Sequence, residues 1–376
     1  MKPRIAILAV LLVVCGFFAW QLLTPREGRQ SFDSLQGDIE TPGKHEATTS
    51  QEIKLHSFGR SRSGANPRPL ADGGLPTRSV LERLLAQDEE VTRVPREQIE
   101  AYLALNKTNA QSLLAAWRAA GDRDYLRQAA ALYPNDPAVQ LNAITLDLFP
   151  GQQREWLDRF KQSAPENSLA NYLSARDYFR EGKPELALKE LGDAAGKRGF
   201  SDYTERTLQD MEEIYMQSGR TTGEAKVVAM AGTLLPHLKS LRELAQEMGG
   251  LQQQYLTSGD PASAEAIARF GWNVGQQLTV GEGSRYIINQ TIGLTIENEL
   301  LTRLPPEQKP DFLPIAVKDQ LTAIEGRKQA LSEMNPLFDQ LLANANEAEI
   351  INFCDRMKLY GEYAALEWLQ KKQRER

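Results

Sequence analysis

Apolar and polar positions divide the chain into three stretches. Residues 5–23 are almost unbroken apolar and follow Lys2 and Arg4. Residues 24–78 are rich in Pro, Gly, Ser, Thr and charged side chains and show no period. From residue 79 onward, apolar residues recur at intervals of three and four almost to the end, the spacing of a helix that buries one stripe. Strand-like alternation is rare. The helical patterns are short and broken by Gly, Pro and Asn, which favours stacked helical hairpins over long bundle helices.

As a helix, the 19 residues of 5–23 would span roughly 28 Å, close to the bilayer core of about 30 Å. Trp20 falls near its far end, where an interfacial ring is favourable. The positive charge before it predicts a cytoplasmic N-terminus and a body on the exported, periplasmic or extracytoplasmic side. Two other readings also export the body. One is a signal peptide cut near Val14-Cys15-Gly16, which would release a secreted protein. The other is lipidation of Cys15, where Val14 stands in place of the usual small residue. Residues 24–78 read as a disordered linker, unable to bury enough apolar surface to offset chain entropy. As a flexible coil it would span roughly 40 Å.

Helix boundaries can be placed beyond it. Ser79 and Glu82 have the spacing of a capping box. Pro95 suits a first helical position, opening a helix over 95–105. Asn171, Tyr172, Ala175, Tyr178, Gly182, Pro184 and Ala187 form one pattern. Small residues at 175 and 187 let two helices approach, and Gly182 ends the first in a left-handed conformation. Gly121, Gly219, Gly259 and Gly361 mark turns of the same kind. Segments 129–138 and 161–168 read as junctions where a helix stops and a new pair begins. Ile288, Ile292, Ile296, Leu300 and Leu304 predict a long helix over 284–304, closed by Pro305-Pro306. A second long helix is expected over 312–333, with Pro314 in its first turn.

The pattern around Gly182 resembles the tetratricopeptide repeat, clearly over 110–275, weakly over 335–372 and hardly over 276–334. The resemblance implies an all-α solenoid of stacked helical hairpins with a concave groove for peptides or partner helices. By analogy with such grooves, Asn171, Arg176, Tyr178 and Arg180 are the candidate partner-binding residues. The organisation expected is therefore a membrane helix (1–23), a linker (24–78), helical repeats (79–275) and a C-terminal helical region (276–376) that could continue them.

Composition narrows the chemistry. The net charge is −6, which argues against a general nucleic-acid binder. The two cysteines, Cys15 and Cys354, cannot pair in a folded body, so no disulfide framework exists. With His45, His56 and His237 the only histidines, a His/Cys zinc site is not expected. There is no Walker motif, dinucleotide loop or Gly-x-Ser-x-Gly elbow. His237 reads as a satisfied or exposed helix-end residue and Cys354 as a small core residue. The carboxylate pairs Glu212/Glu213, Glu297/Glu299 and Glu347/Glu349 read as solvated faces, because such neighbours point in different directions on a helix. No catalytic residue, cofactor or metal is expected. The function expected is a membrane-anchored interaction module or scaffold binding envelope proteins or peptides, with residues 5–23 in the lipid bilayer. A structural subunit of an envelope assembly is the alternative, and an enzyme with an unrecognised site comes last.

Overall fold

The computed structural model describes residues 89–233 and 235–375. The expected membrane segment, the linker and the capping box at Ser79 lie outside them. Among the described residues there are α-helices and two short 3-10 turns, with one isolated bridge, Asn167 to Gly199, in place of any strand. No helix among them is long and apolar enough to cross a membrane.

The first part is a zigzag of helices, each packed on the next. It comprises α1 (Arg96–Leu105), α2 (Ala110–Ala120), α3 (Arg123–Leu132), α4 (Pro137–Thr145), α5 (Gln153–Ser163), α6 (Ser168–Arg180) and α7 (Pro184–Ala195). Short polar side chains start several of them. Asn109, Asp122, Asp136 and Asn167 each accept from a backbone N–H of the first turn, satisfying donors a helix start leaves open. Gly121 ends α2 at φ 72° and Gly182 follows α6 at φ 69°. Both conformations are cheap only for glycine. Pro95 stands just before α1, one position earlier than expected.

Burial separates the zigzag into two layers. α2, α4 and α6 are buried around nearly their whole circumference. α5 buries one stripe, Trp156, Leu157 and Phe160, and α7 another, Ala187, Glu190, Leu191 and Ala194. The remaining helices explain the difference. They are α8 (Thr204–Gln217), α9 (Thr222–Ala231), α10 (Pro236–Thr257), α11 (Pro261–Thr279), α12 (Ile287–Leu301), α13 (Val317–Asn344), α14 (Glu347–Tyr360) and α15 (Glu362–Arg374). α8 packs against α2, and α10 against α6. The chain thus folds its own later helices onto the inner layer of its first ones. On α6, Asn171 meets α7 and Arg176 meets α10. Five residues separate them, about 140° around the helix, so opposite sides of α6 are covered.

α11 and α12 are a pair in unusually close contact. A Cβ placed on Gly271 would lie 1.9 Å from Leu300 Cδ1, and one on Gly293 would lie 2.9 Å from the Gly275 carbonyl oxygen. Glycine at these positions is therefore what lets the two helices approach. α13 packs on α12, α14 on α9, and α15 on both α13 and α14.

Two boundaries differ from expectation. α12 starts at Ile287, because Glu282–Arg285 form a 3-10 turn. α13 starts at Val317 and continues through Pro336 to Asn344. Its beginning is displaced because 302–316 folds back on itself: the N–H groups of Val317 and Lys318 donate to the carbonyls of Gln308 and Pro306.

Candidate functional site

The four residues expected to line a groove lie on or within the same helix, with different surroundings. Asn171 is 3% exposed. Its amide donates to Glu190 Oε2 (2.6 Å) and accepts from Lys197 Nζ (2.6 Å). Arg176 Nε donates to Glu243 of α10 at 2.6 Å. Tyr178 lies 3.6 Å beneath the Arg154 guanidinium, which also pairs with Asp177. Arg180, closing α6, is exposed.

Where α8 and α10 meet the inner layer, polar groups converge. The lining includes Arg118 of α2, Asn142 of α4, Asp202 and Thr204 at the start of α8, and His237 in the first turn of α10. The space between them is about 10 Å³, room for one water molecule. Arg118 donates to Asn142 Oδ1 at 3.1 Å. Burial lowers its pKa to about 10, against the nearby Asp210 charge. Asp202 accepts from the Thr204 N–H at 3.0 Å. Its other oxygen is 3.1 Å from His237 Nε2, close enough for attraction but without the alignment of a hydrogen bond. Burial pushes the Asp202 carboxyl up, yet His237 and Thr204 outweigh it and hold it at about 2. Tyr203, between Asp202 and Thr204, takes φ 59°, a costly conformation for a bulky residue. His237 is thus a buried helix-end residue 3.1 Å from the Asp202 carboxylate, with its Nε2 lacking a hydrogen-bond partner.

A second cluster joins α14 to α8 and α9. Lys226 Nζ donates to Glu212 (2.9 Å) and Asp355 (2.5 Å), and Lys358 Nζ donates to both oxygens of Glu212 (2.9 and 2.7 Å). Two cations and two anions balance, as a buried group of charges requires. Burial pushes the Lys226 ammonium down, but Asp355 and Glu212 outweigh it and raise its pKa. Cys354 beside them is buried, and burial pushes its thiol up to about 12. A thiol so held is not a nucleophile at neutral pH.

The carboxylate pairs correct the sequence reading, because one member of each is buried: Glu212, Glu297 and Glu349. Glu349 completes a capping box with Asn346. The signal lay in the apolar stripes. Glu212 follows Leu208 by four and sits beside Met211 and Tyr215, and Glu297 stands midway between Gly293 and Leu301. Their partners come from distant segments, which local spacing does not reveal.

Among the large aromatic residues, Trp117, Trp156, Tyr172 and Tyr215 are buried, and Tyr178, Trp272 and Trp368 are half-buried. Three large side chains are exposed together at the turn between α14 and α15. Leu359, Tyr360 and Tyr363 are 66%, 66% and 48% exposed. The turn that carries them is pinned from beneath. Arg285 donates to the Lys358 carbonyl (2.8 Å), Glu362 accepts from the Ile287 N–H (2.8 Å), and Gly361 at φ 89° passes close to the Arg285 carbonyl. The chain matches no protein-family model, no curated protein and no solved structure.

Proposed function

We propose that this protein is a membrane-anchored interaction module: residues 5–23 hold it in the bilayer, 24–78 tether it, and the helical body faces the exported side to bind other envelope proteins. The body is read as a degenerate tetratricopeptide-like solenoid, supported by the stacked neighbouring helices and by glycine turns at the expected places. The tether would raise the local concentration of the body near the membrane.

The observation that carries the binding role is the pinned turn presenting Leu359, Tyr360 and Tyr363 to solvent. Tyrosines on a preorganised support offer large contact area at little entropic cost, the usual make-up of a protein–protein anchor. The inner helices offer less free surface, since α8 and α10 already lie against them.

The test uses the full-length protein in its native membranes with a photo-reactive residue at position 360, and a control at exposed Lys189 on α7. A defined protein adduct from 360, lost in a Tyr363→Ala background and missing from 189, supports the reading. Equal labelling from both positions, or none from 360, refutes it. Sedimentation of the same chain after alkaline extraction tests the anchor: release into the soluble fraction would remove it from the account.

A further inference from the structure

Glu297 stands in the middle of α12 with 0% of its surface exposed. Its stem fills the space Gly275 leaves on α11, where an added Cβ would come within 2.3 Å of Glu297 Cγ. Oε1 accepts from Gln276 Nε2 (2.9 Å) and from Thr279 Oγ1 (3.2 Å). Oε2 has no hydrogen-bond partner. Burial pushes this carboxyl up to about 7, against the hydrogen bonds from Gln276 and Thr279 and the charge of Arg327.

Three cations on the surrounding elements are set against other acids, although one Arg242 guanidinium nitrogen is buried without a hydrogen-bond partner. Arg242 of α10 faces Glu299, Arg269 of α11 pairs with Asp311, and Arg285 of the 3-10 turn pairs with Glu205. Among the described residues, Arg327 of α13 is the cation whose charge reaches Glu297. Arg327 donates to the Thr279 carbonyl at 3.3 Å, a long bond. Thr279 therefore stands between the two: its hydroxyl serves Glu297 and its carbonyl serves Arg327. A neutral carboxyl leaves this arrangement in place. An ionised one places an unpaired negative oxygen in a dry interface, a state that draws in the nearest cation.

We infer that Glu297 and Arg327 form a proton-operated latch between α12 and α13. With its proton on, Glu297 is held by Gln276 and Thr279 alone, and Arg327 rests on the end of α11. When the proton leaves to solvent, Arg327 leaves the Thr279 carbonyl for the free carboxylate oxygen, and the N-terminal half of α13 shifts with it. The latch couples the packing of α13 to the acidity of the surrounding compartment, independently of any partner bound at the α14–α15 turn.

Hydrogen–deuterium exchange on the full-length protein tests this, between about pH 5.5 and about pH 8.5 and corrected for intrinsic exchange. In the wild type, protection of 317–330 changes with a midpoint near 7. Glu297→Gln holds the low-pH pattern throughout. Arg327→Gln, at an exposed position, loses the α13 response. A flat wild-type profile, or a Glu297→Gln profile that still changes as the wild type does, overturns the latch. If Glu297→Gln does not fold, Arg327→Gln decides alone, and a retained response at α13 sinks the proposal.

Discussion

Gly293→Ala isolates the close approach of α11 and α12. The added methyl would sit 2.6 Å from Thr279 Cγ2, 2.9 Å from Leu278 Cβ and 2.9 Å from the Gly275 carbonyl oxygen. One of these neighbours is backbone, so the strain cannot be relieved by turning a flexible side chain, and the helices must part. Overpacking of this kind costs about 1–3 kcal/mol. Alanine also raises helix propensity by about 1 kcal/mol, which hides part of the loss. Gly250→Ala supplies the correction. Gly250 lies inside α10, is exposed, and an added Cβ there meets nothing within 4 Å. It should gain the propensity alone, roughly 0.5–1 kcal/mol. The difference between the two variants is then the overpacking itself, about 1–3 kcal/mol with Gly293→Ala the weaker. Urea unfolding followed by circular dichroism measures it through the two midpoints. Equal midpoints, or a more stable Gly293→Ala, would refute the close contact.

Other substitutions probe the buried charges. Lys226→Met leaves Glu212 with Lys358 as its cation and the cluster one positive charge short. It should cost about 1–3 kcal/mol in the same urea assay, with a smaller loss when Glu212→Leu is added, because Lys358 then keeps Asp355 as its partner. Asp202 is held at about 2, below its ordinary 3.8. Its contribution, about 2 kcal/mol, is therefore present above pH 3.8 and lost as pH falls through 2. Asp202→Asn should lower stability at neutral pH and flatten that acid limb, and an unchanged limb would speak against the pairing. Cys354, in a Cys15→Ser background, should resist a thiol reagent at mild alkaline pH until urea unfolds the protein; rapid labelling of the folded chain would contradict its burial.

Much of the local structure was legible in advance. Gly121, Gly182, Gly219, Gly259 and Gly361 were expected to turn the chain, and all five take positive φ. They were readable because a left-handed turn demands a residue type. The helix junctions near Pro134 and Pro165 were readable for a similar reason, since proline restricts its predecessor. What escaped was tertiary. A periodic stripe says that a face is covered, not by which element. The α2 sequence is apolar except at Gln111, Ser112 and Arg118, a composition compatible with burial on most sides. Only the fold reveals that α8 does the covering. Glu212 and Glu297 were misread for the same reason: each carboxylate depends on groups that other segments deliver.

The return of α10 onto α6 is the central feature of the fold, because it covers the face of α6 where an open inner groove would lie, so the proposed partner surface falls on the tips and outer faces. Arg176→Lys places a primary amine beside Glu243, 67 positions along the chain. Treatment with a zero-length carbodiimide and peptide mass spectrometry should recover an amide between residues 176 and 243, alongside one between Lys161 and Glu190, which are 2.6 Å apart within the zigzag and serve as the control. Recovery of the control link with none at 243 would show α6 uncovered and the account wrong.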